Sequence, residues 1–160
     1  MDKFKLLVVD DEILIRKALV RLFRAEPIEV LEAENGEEAL KILATVPVSM
    51  VIADHKMPGM DGLELLHLVR ERYPDAIRIM LTGFGDLETA MQAINQGDVF
   101  RFFTKPWNKD ELLQSVQKAL KLQHMRVSNR QLIRDLEEQL ERMKNNVHDE
   151  QPDDRKAKAI

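Results

Sequence analysis

Three strand-length apolar runs, each ending in charged residues, constrain what this chain can fold into more than any other feature. Leu6-Leu7-Val8-Val9 leads into Asp10-Asp11, Met50-Val51-Ile52-Ala53 into Asp54, and Val99-Phe100-Arg101-Phe102-Phe103 into Lys105-Pro106. Runs of this length, rich in β-branched or aromatic residues, are predicted strands, so each polar group stands at a strand's carboxyl end. Parallel sheets place their ligand sites along that edge.

The segments between the runs are amphipathic. Glu12 to Ala25 carries Ile13, Leu14, Ala18, Leu19, Leu22 and Phe23 at helical spacing. Glu29 to Ala33 reads as a second strand, and Asn35-Gly36 turns into a helix from Glu37 to Ala44. The loop Lys56-Met57-Pro58-Gly59-Met60-Asp61-Gly62 precedes a helix from Leu63 to Arg72, which Tyr73-Pro74 closes. Ile77 to Leu81 is a fourth strand ending at Thr82-Gly83, and Leu87 to Gln96 a helix with Gly97 at its C-cap. A fifth strand and a final helix, capped by Asn108 or Asp110, complete five βα units. Such alternation predicts an α/β fold: a doubly wound, five-stranded parallel sheet with right-handed crossovers and a long C-terminal helix.

Composition adds bounds. At 160 residues and 44% hydrophobic, the chain buries one core with residues left for an extension. It has no Cys, which excludes disulfides, thiolate metal sites and a thiol nucleophile. No stretch approaches a membrane span or a signal-peptide core, so a soluble, cytoplasmic protein is expected. The net charge of −4 gives no general reason for nucleic-acid binding.

If strands one and three are neighbours, Asp10, Asp11 and Asp54 crowd together and repel. A Mg2+ ion, which prefers oxygen ligands, relieves that repulsion and bridges to a phosphate oxygen. Asp54 is then the natural nucleophile for an aspartyl phosphate. Lys105 supplies a point charge for the phosphoryl oxygens and Thr82 a hydroxyl. The Lys105-Pro106 peptide is a candidate for the cis form.

Four stretches in order carry a resemblance: Val8-Val9-Asp10-Asp11-Glu12, Asp54 through Gly62, Leu81-Thr82-Gly83, and Phe102-Phe103-Thr104-Lys105-Pro106. The chain resembles, over about residues 4 to 122, a response-regulator receiver domain of two-component signalling, with the flavodoxin-like fold. The resemblance implies that Asp54 takes a phosphoryl group from a histidine kinase or phosphotransfer protein. It implies that Asp10, Asp11, Asp54 and the backbone carbonyl of Lys56 arrange Mg2+, and that Thr82 and Phe102 are a switch pair. The family often has Tyr where Phe102 stands, so a step needing that hydroxyl is not available here. The lifetime of a phosphoryl group on Asp54 would depend on how side chains such as Lys56 and Phe84 gate water there, which spacing does not show. The stretch Ile94 to Trp107 is similar to receivers joined to cyclic-dinucleotide phosphodiesterase or other enzymatic outputs.

Bland readings compete. An acid pair at a strand end suits a helix N-terminus, Thr82 can cap a turn, and Phe102 can be core. His55 reads as ordinary variation, and His67, His124 and His148 have no partner at ligand spacing. After Pro106 the helical pattern does not stop. Ala119, Leu122, Arg126, Asn129, Ile133, Leu136, Leu140, Met143 and Val147 alternate three and four apart, a heptad seam with two polar interruptions. Leu132 and Met125 offer a competing stripe. The expected organisation is a receiver at 1–122, a helical or coiled-coil extension at 123–149 and a disordered tail at 150–160. A homodimer through the C-terminal helix is favoured over a helix folded back on its own domain.

Residues 108–160 hold 11 basic against 10 acidic residues, with no basic reading helix, so direct nucleic-acid binding by this chain is not expected. The chain is either a receiver plus linker from a longer regulator or a complete protein signalling through its helix. The expected activity is not enzymatic beyond self-phosphorylation and slow autodephosphorylation. Two alternatives remain: a receiver-fold dimerisation scaffold, and a Mg2+-dependent aspartyl-phosphate phosphohydrolase. The latter needs an Asp-x-Asp first strand and a cap segment, and neither is present in the sequence.

Overall fold

A computed structural model describes residues 3–149. Five strands form one parallel sheet: β1 (Phe4–Val9), β2 (Ile28–Ala33), β3 (Met50–Asp54), β4 (Ile77–Thr82) and β5 (Arg101–Thr104), in the order β2-β1-β3-β4-β5. Between them run α1 (Ile13–Leu22), α2 (Gly36–Thr45), α3 (Gly62–Arg72) and α4 (Leu87–Asn95). The last helix, α5, is Lys109–Asp149. The central strands read as continuous apolar runs because both faces are covered. Leu7, Val9, Val51, Ala53 and Met80 pack on α2, α3 and α4, and Leu6, Val8, Met50, Ile52, Ile79, Leu81 and Phe103 pack on α1 and the first turns of α5.

Local chemistry sets the helix boundaries. The side chains of Asn35, Asp61 and Asn108 accept hydrogen bonds from the backbone N–H groups of Glu38, Glu64 and Glu111, at 2.8, 2.8 and 3.0 Å. Gly97, at φ +85°, follows Gln96 at the C-cap of α4. The N–H groups of Gly97 and Asp98 donate to Ile94 and Ala93, closing the helix in the left-handed turn that glycine favours. The Lys105-Pro106 peptide is cis.

Several expectations are corrected. Strand five begins at Arg101 rather than Val99, because the Val99 N–H is drawn back to the Ala93 carbonyl and pairing with β4 starts at Ile79 and Arg101. Helix α1 ends at Leu22, short of Ala25, since the backbone turns there toward Pro27 and β2. Ile13 and Leu14 are exposed instead of packed, and the buried stripe of α1 is Arg16, Leu19 and Phe23, spaced three and four apart. Ala119, which fits both the sheet-packing positions of the last helix (Leu112, Leu113, Val116, Ala119 and Leu120) and the first position of the heptad spacing, lies in the core beside Val116 and Leu120, so the exposed seam begins beyond it.

His67, without a partner at ligand spacing in the sequence, pairs with a distant carboxylate: its Nδ1 lies 3.1 Å from Asp98 Oδ1. Arg70 reaches the same oxygen at 3.2 Å, and Arg78 Nε donates to the Asp98 carbonyl at 2.9 Å. Burial would push the Asp98 carboxyl up, but its bonds to His67 and Arg70 outweigh this and hold it below the usual carboxylate range. A carboxyl depressed on folding stabilises the protein above the unfolded value, near 3.8, and loses that contribution as pH falls through its folded value. Asp98→Asn is therefore expected to lower stability at pH 7 by about 1 kcal/mol. Urea unfolding should show the gap from wild type closing below that pH; a gap independent of pH would refute the assignment.

The contacts divide the chain after Gln123, with the second unit beginning at His124. From there α5 presents Leu132, Ile133, Leu136, Leu140, Met143 and Val147, each at least half exposed. The expected tail, 150–160, lies outside the described residues.

Candidate functional site

Strand periodicity assembles the site. Side chains alternate along a strand, so Asp10 follows the parity of Val8, Asp54 that of Ile52, and Lys105 that of Phe103. All three leave the carboxyl edge on the side covered by α1 and α5. Strand order then makes β1 and β3 neighbours, with Val9 opposite Ala53. Carboxylate oxygens of Asp10, Asp11 and Asp54 lie within 4.8 Å of one another. Lys105 Nζ lies 2.9 Å from Asp10 Oδ2 and 3.0 Å from Asp54 Oδ1. Asp10 and Asp54 are buried and Asp11 is exposed, so the cluster opens to solvent on the Asp11 side.

The electrostatics follow from that packing. Burial pushes the Asp54 carboxyl above its ordinary range; the Lys105 hydrogen bond opposes this and the charges of Asp10 and Asp11 add to it. Burial alone would lower the Lys105 ammonium, but hydrogen bonds to Asp10 and Asp54 hold it above its ordinary value. One cation is thus shared between two anions, and a third anion stands beside them. A cluster of hard oxygen donors carrying more negative than positive charge suits Mg2+.

Other predicted residues fall into place less completely. Thr82 is fully buried at the end of β4, its hydroxyl directed to the Gly83 carbonyl at 3.4 Å and not to Asp54. Its carbonyl accepts from the Lys105 N–H at 2.9 Å, which ties β4 to the lysine's backbone. Phe102 is half-buried and pairs in register with Met80, on the face covered by α2, α3 and α4. The Lys56 side chain is exposed and its ammonium lies 3.3 Å from Asp86 Oδ2. The side chain of Phe84 lies outside what the structure describes.

Asp86 carries no signal in the sequence, and His55, which reads there as ordinary variation, takes a defined place beside it. His55 is buried, its Nδ1 without a hydrogen bond and 3.8 Å from the same Asp86 oxygen. The loop after β3 and the loop after β4 therefore meet at Asp86, a long-range contact with no signal in spacing. Arg16 was also missed, although its spacing from Leu19 and Phe23 marks the buried face of α1.

A parallel sheet in this order, with three carboxylates and a lysine at its carboxyl edge, is the arrangement of a phosphoryl-accepting signalling module. The chain belongs to the response-regulator receiver domain family, whose description, response regulator receiver domain, matches residues 6–117. It is 38% identical over 117 residues to the hydrogenase transcriptional regulatory protein HoxA of Cupriavidus necator, covering 73% of this chain and 24% of that one. It is 37% identical over 113 residues to the DNA-binding transcriptional regulator NtrC of Escherichia coli, covering 71% and 24%. The chain thus spans about a quarter of the length of these curated relatives.

Among solved structures, it is similar to the signal receiver domain of an HD domain-containing protein from Pseudomonas fluorescens Pf-5. The TM-score is 0.75 and the identity 35%, over 80% of this chain and 94% of that one. A chain described as adenylate cyclase from Rhodopirellula baltica gives a TM-score of 0.77 at 34% identity, over 82% and 98%. Among the described residues, no helix is long and apolar enough to cross a membrane.

Proposed function

We propose that this receiver accepts a phosphoryl group on Asp54 and passes the event to its C-terminal helix. The single observation that carries the reading is the shared lysine: Lys105 holds both Asp10 and Asp54, beside Asp11, at a solvent-facing edge. In the transfer, an Asp54 carboxylate oxygen forms a bond to phosphorus as the bond from phosphorus to the donor breaks. The donor is a phosphohistidine nitrogen on a histidine kinase or phosphotransfer protein, and the leaving nitrogen takes its proton from solvent. Asp10, Asp11, Asp54 and the Lys56 carbonyl would hold Mg2+, which when bound supplies positive charge to the phosphoryl oxygens.

Lys105, kept cationic by its two partners, turns from Asp10 toward the phosphoryl oxygens as charge moves there. Thr82 exchanges its weak bond to the Gly83 carbonyl for a phosphoryl oxygen. Phe102 fills the space this leaves, a motion that needs packing and no hydroxyl. The output is carried by a receiver of 1–122 and an extension of 123–149. In the extension the seam Ile133, Leu136, Leu140, Met143 and Val147 is exposed along α5, and a second copy of this chain is the occupant that buries it as a coiled coil. Asn129 at a seam position specifies register. Solution in the cytoplasm, with no direct nucleic-acid contact by this chain, completes the reading.

The test is incubation of the full chain with Mg2+ and acetyl phosphate, followed by phosphate-affinity electrophoresis and sedimentation. The expected result is one hydroxylamine-labile phosphoryl group per chain, absent in EDTA, on a dimer that becomes a monomer when the chain ends at Gln123. No adduct in excess Mg2+ would favour a dimerisation scaffold. A monomer at both lengths would remove the coiled coil.

A further inference from the structure

Arg16 is buried, yet its side chain lies on the face of α1 that otherwise carries Leu19 and Phe23. Isolated burial of a guanidinium is costly, so its partners define its purpose. Each of its three nitrogens takes a different one. One terminal nitrogen donates to the Asp10 carbonyl at 2.7 Å, Nε lies 3.4 Å from Glu32, and the other terminal nitrogen lies 3.7 Å from Glu34. The guanidinium therefore joins the carboxyl end of β1 to that of β2.

Every polar group of Asp10 is held. Its N–H donates to the Ala33 carbonyl at 3.2 Å, Oδ1 accepts the Glu12 N–H at 2.9 Å, Oδ2 accepts Lys105 at 2.9 Å, and its carbonyl accepts Arg16. Only the lysine bond has to change when a phosphoryl group arrives. The Asp10 carbonyl and the Asp11 nitrogen share one planar peptide, so fixing that carbonyl orients the backbone on which the exposed Asp11 stands.

We propose that Arg16 is a positioning residue for the acidic centre, holding the Asp10-Asp11 peptide so that both carboxylates face a divalent cation. This rests on the reading of the three acids as a Mg2+ site. A lysine keeps the charge but cannot span three separate acceptors with one nitrogen. Stability alone does not account for the arginine. Lys17 already pairs with Glu32 at 2.9 Å and Glu34 is mostly exposed, so Arg16→Met leaves neither acid as an uncompensated buried charge.

The experiment titrates Mg2+ into the full-length wild type, Arg16→Met and Arg16→Lys by calorimetry and by fluorescence of the single Trp107. Urea unfolding in EDTA is run in parallel. Both variants are expected to bind Mg2+ about tenfold or more weakly. Their acetyl-phosphate labelling should be slow at low Mg2+ and recover at saturating Mg2+, a dependence that loss of stability alone does not produce. Leu120→Ala, on the buried face of α5 and away from the acidic centre, should lower stability and leave Mg2+ affinity unchanged. Mg2+ affinity within twofold of wild type in Arg16→Lys would overturn the proposal. That variant also decides the matter if Arg16→Met does not fold. Absence of saturable Mg2+ binding by the wild type would overturn the cation reading and the proposal with it.

Discussion

Asp54→Asn is expected to leave no detectable phosphoryl adduct and, without divalent cation, to unfold at a higher temperature than the wild type. The two effects have one cause. Asp54 is nine-tenths buried between two other acids, and burial raises its carboxyl above the ordinary value of 3.8. A carboxyl raised on folding binds its proton more tightly in the native state, so stability falls as pH rises through the unfolded value and stays reduced at neutral pH. Asparagine keeps the shape and removes the charge, at the loss of part of the Lys105 attraction. A gain of about 1 kcal/mol, or roughly 3 °C for a chain of this size, is expected at pH 7.5 in EDTA. Mg2+ should raise the wild-type midpoint and do so less in the variant. Thermal scans with and without Mg2+ check this, and an adduct that persists in Asp54→Asn would place the phosphoacceptor elsewhere.

Gly62→Ala is expected to be the most destabilising single-methyl substitution in the receiver. Gly62 opens α3, and its N–H donates to the His55 carbonyl at 2.8 Å. A Cβ here would stand 2.1 Å from the Asp54 carbonyl oxygen, 2.9 Å from its carbon and 3.0 Å from His55 Cα. All three are backbone atoms, so no rotamer change relieves the clash, and either α3 or the end of β3 must move. A loss of about 3 kcal/mol follows, at the upper end for overpacking. The phosphorylation rate should fall with it, because the displaced backbone is that of Asp54. Gly85→Ala is the matched control, since a Cβ there meets nothing within 4 Å. Urea midpoints for the two variants compare them directly; equal values would show that the α3 entry yields without resistance.

These two positions differ in how legible they were. Asp54 was visible because an acid after an apolar run has little use in a sheet except at its functional edge, and the Asp10-Asp11 pair and Lys105 repeat that pattern. Gly62 was visible as a turn residue, but its closeness to Asp54 was not, because it depends on how α3 returns across the end of β3. Strand five was placed two residues early because Val99 and Phe100 are as strand-like as Phe102, while the Val99 N–H is taken by the closure of α4 and register pairing with β4 begins only at Arg101. Ala119 fitted the heptad spacing as well as it fits the core, and periodicity cannot say which partner covers a helix face.

The apolar runs, the polar residues that end them, and the capping residues Asn35, Asp61, Gly97 and Asn108 determined by themselves the element order, the fold class and the identity of the acidic edge, because each acts within a few residues of itself. Tertiary structure alone decided that Lys105 bridges Asp10 to Asp54, that Arg16 grips the Asp10 carbonyl, that Asp98 gathers His67 and Arg70, and that Asp86 joins the loops after β3 and β4. Those contacts join residues from 6 to 95 positions apart, and they exist only once parallel strand order and the return of each helix have brought the carboxyl ends together.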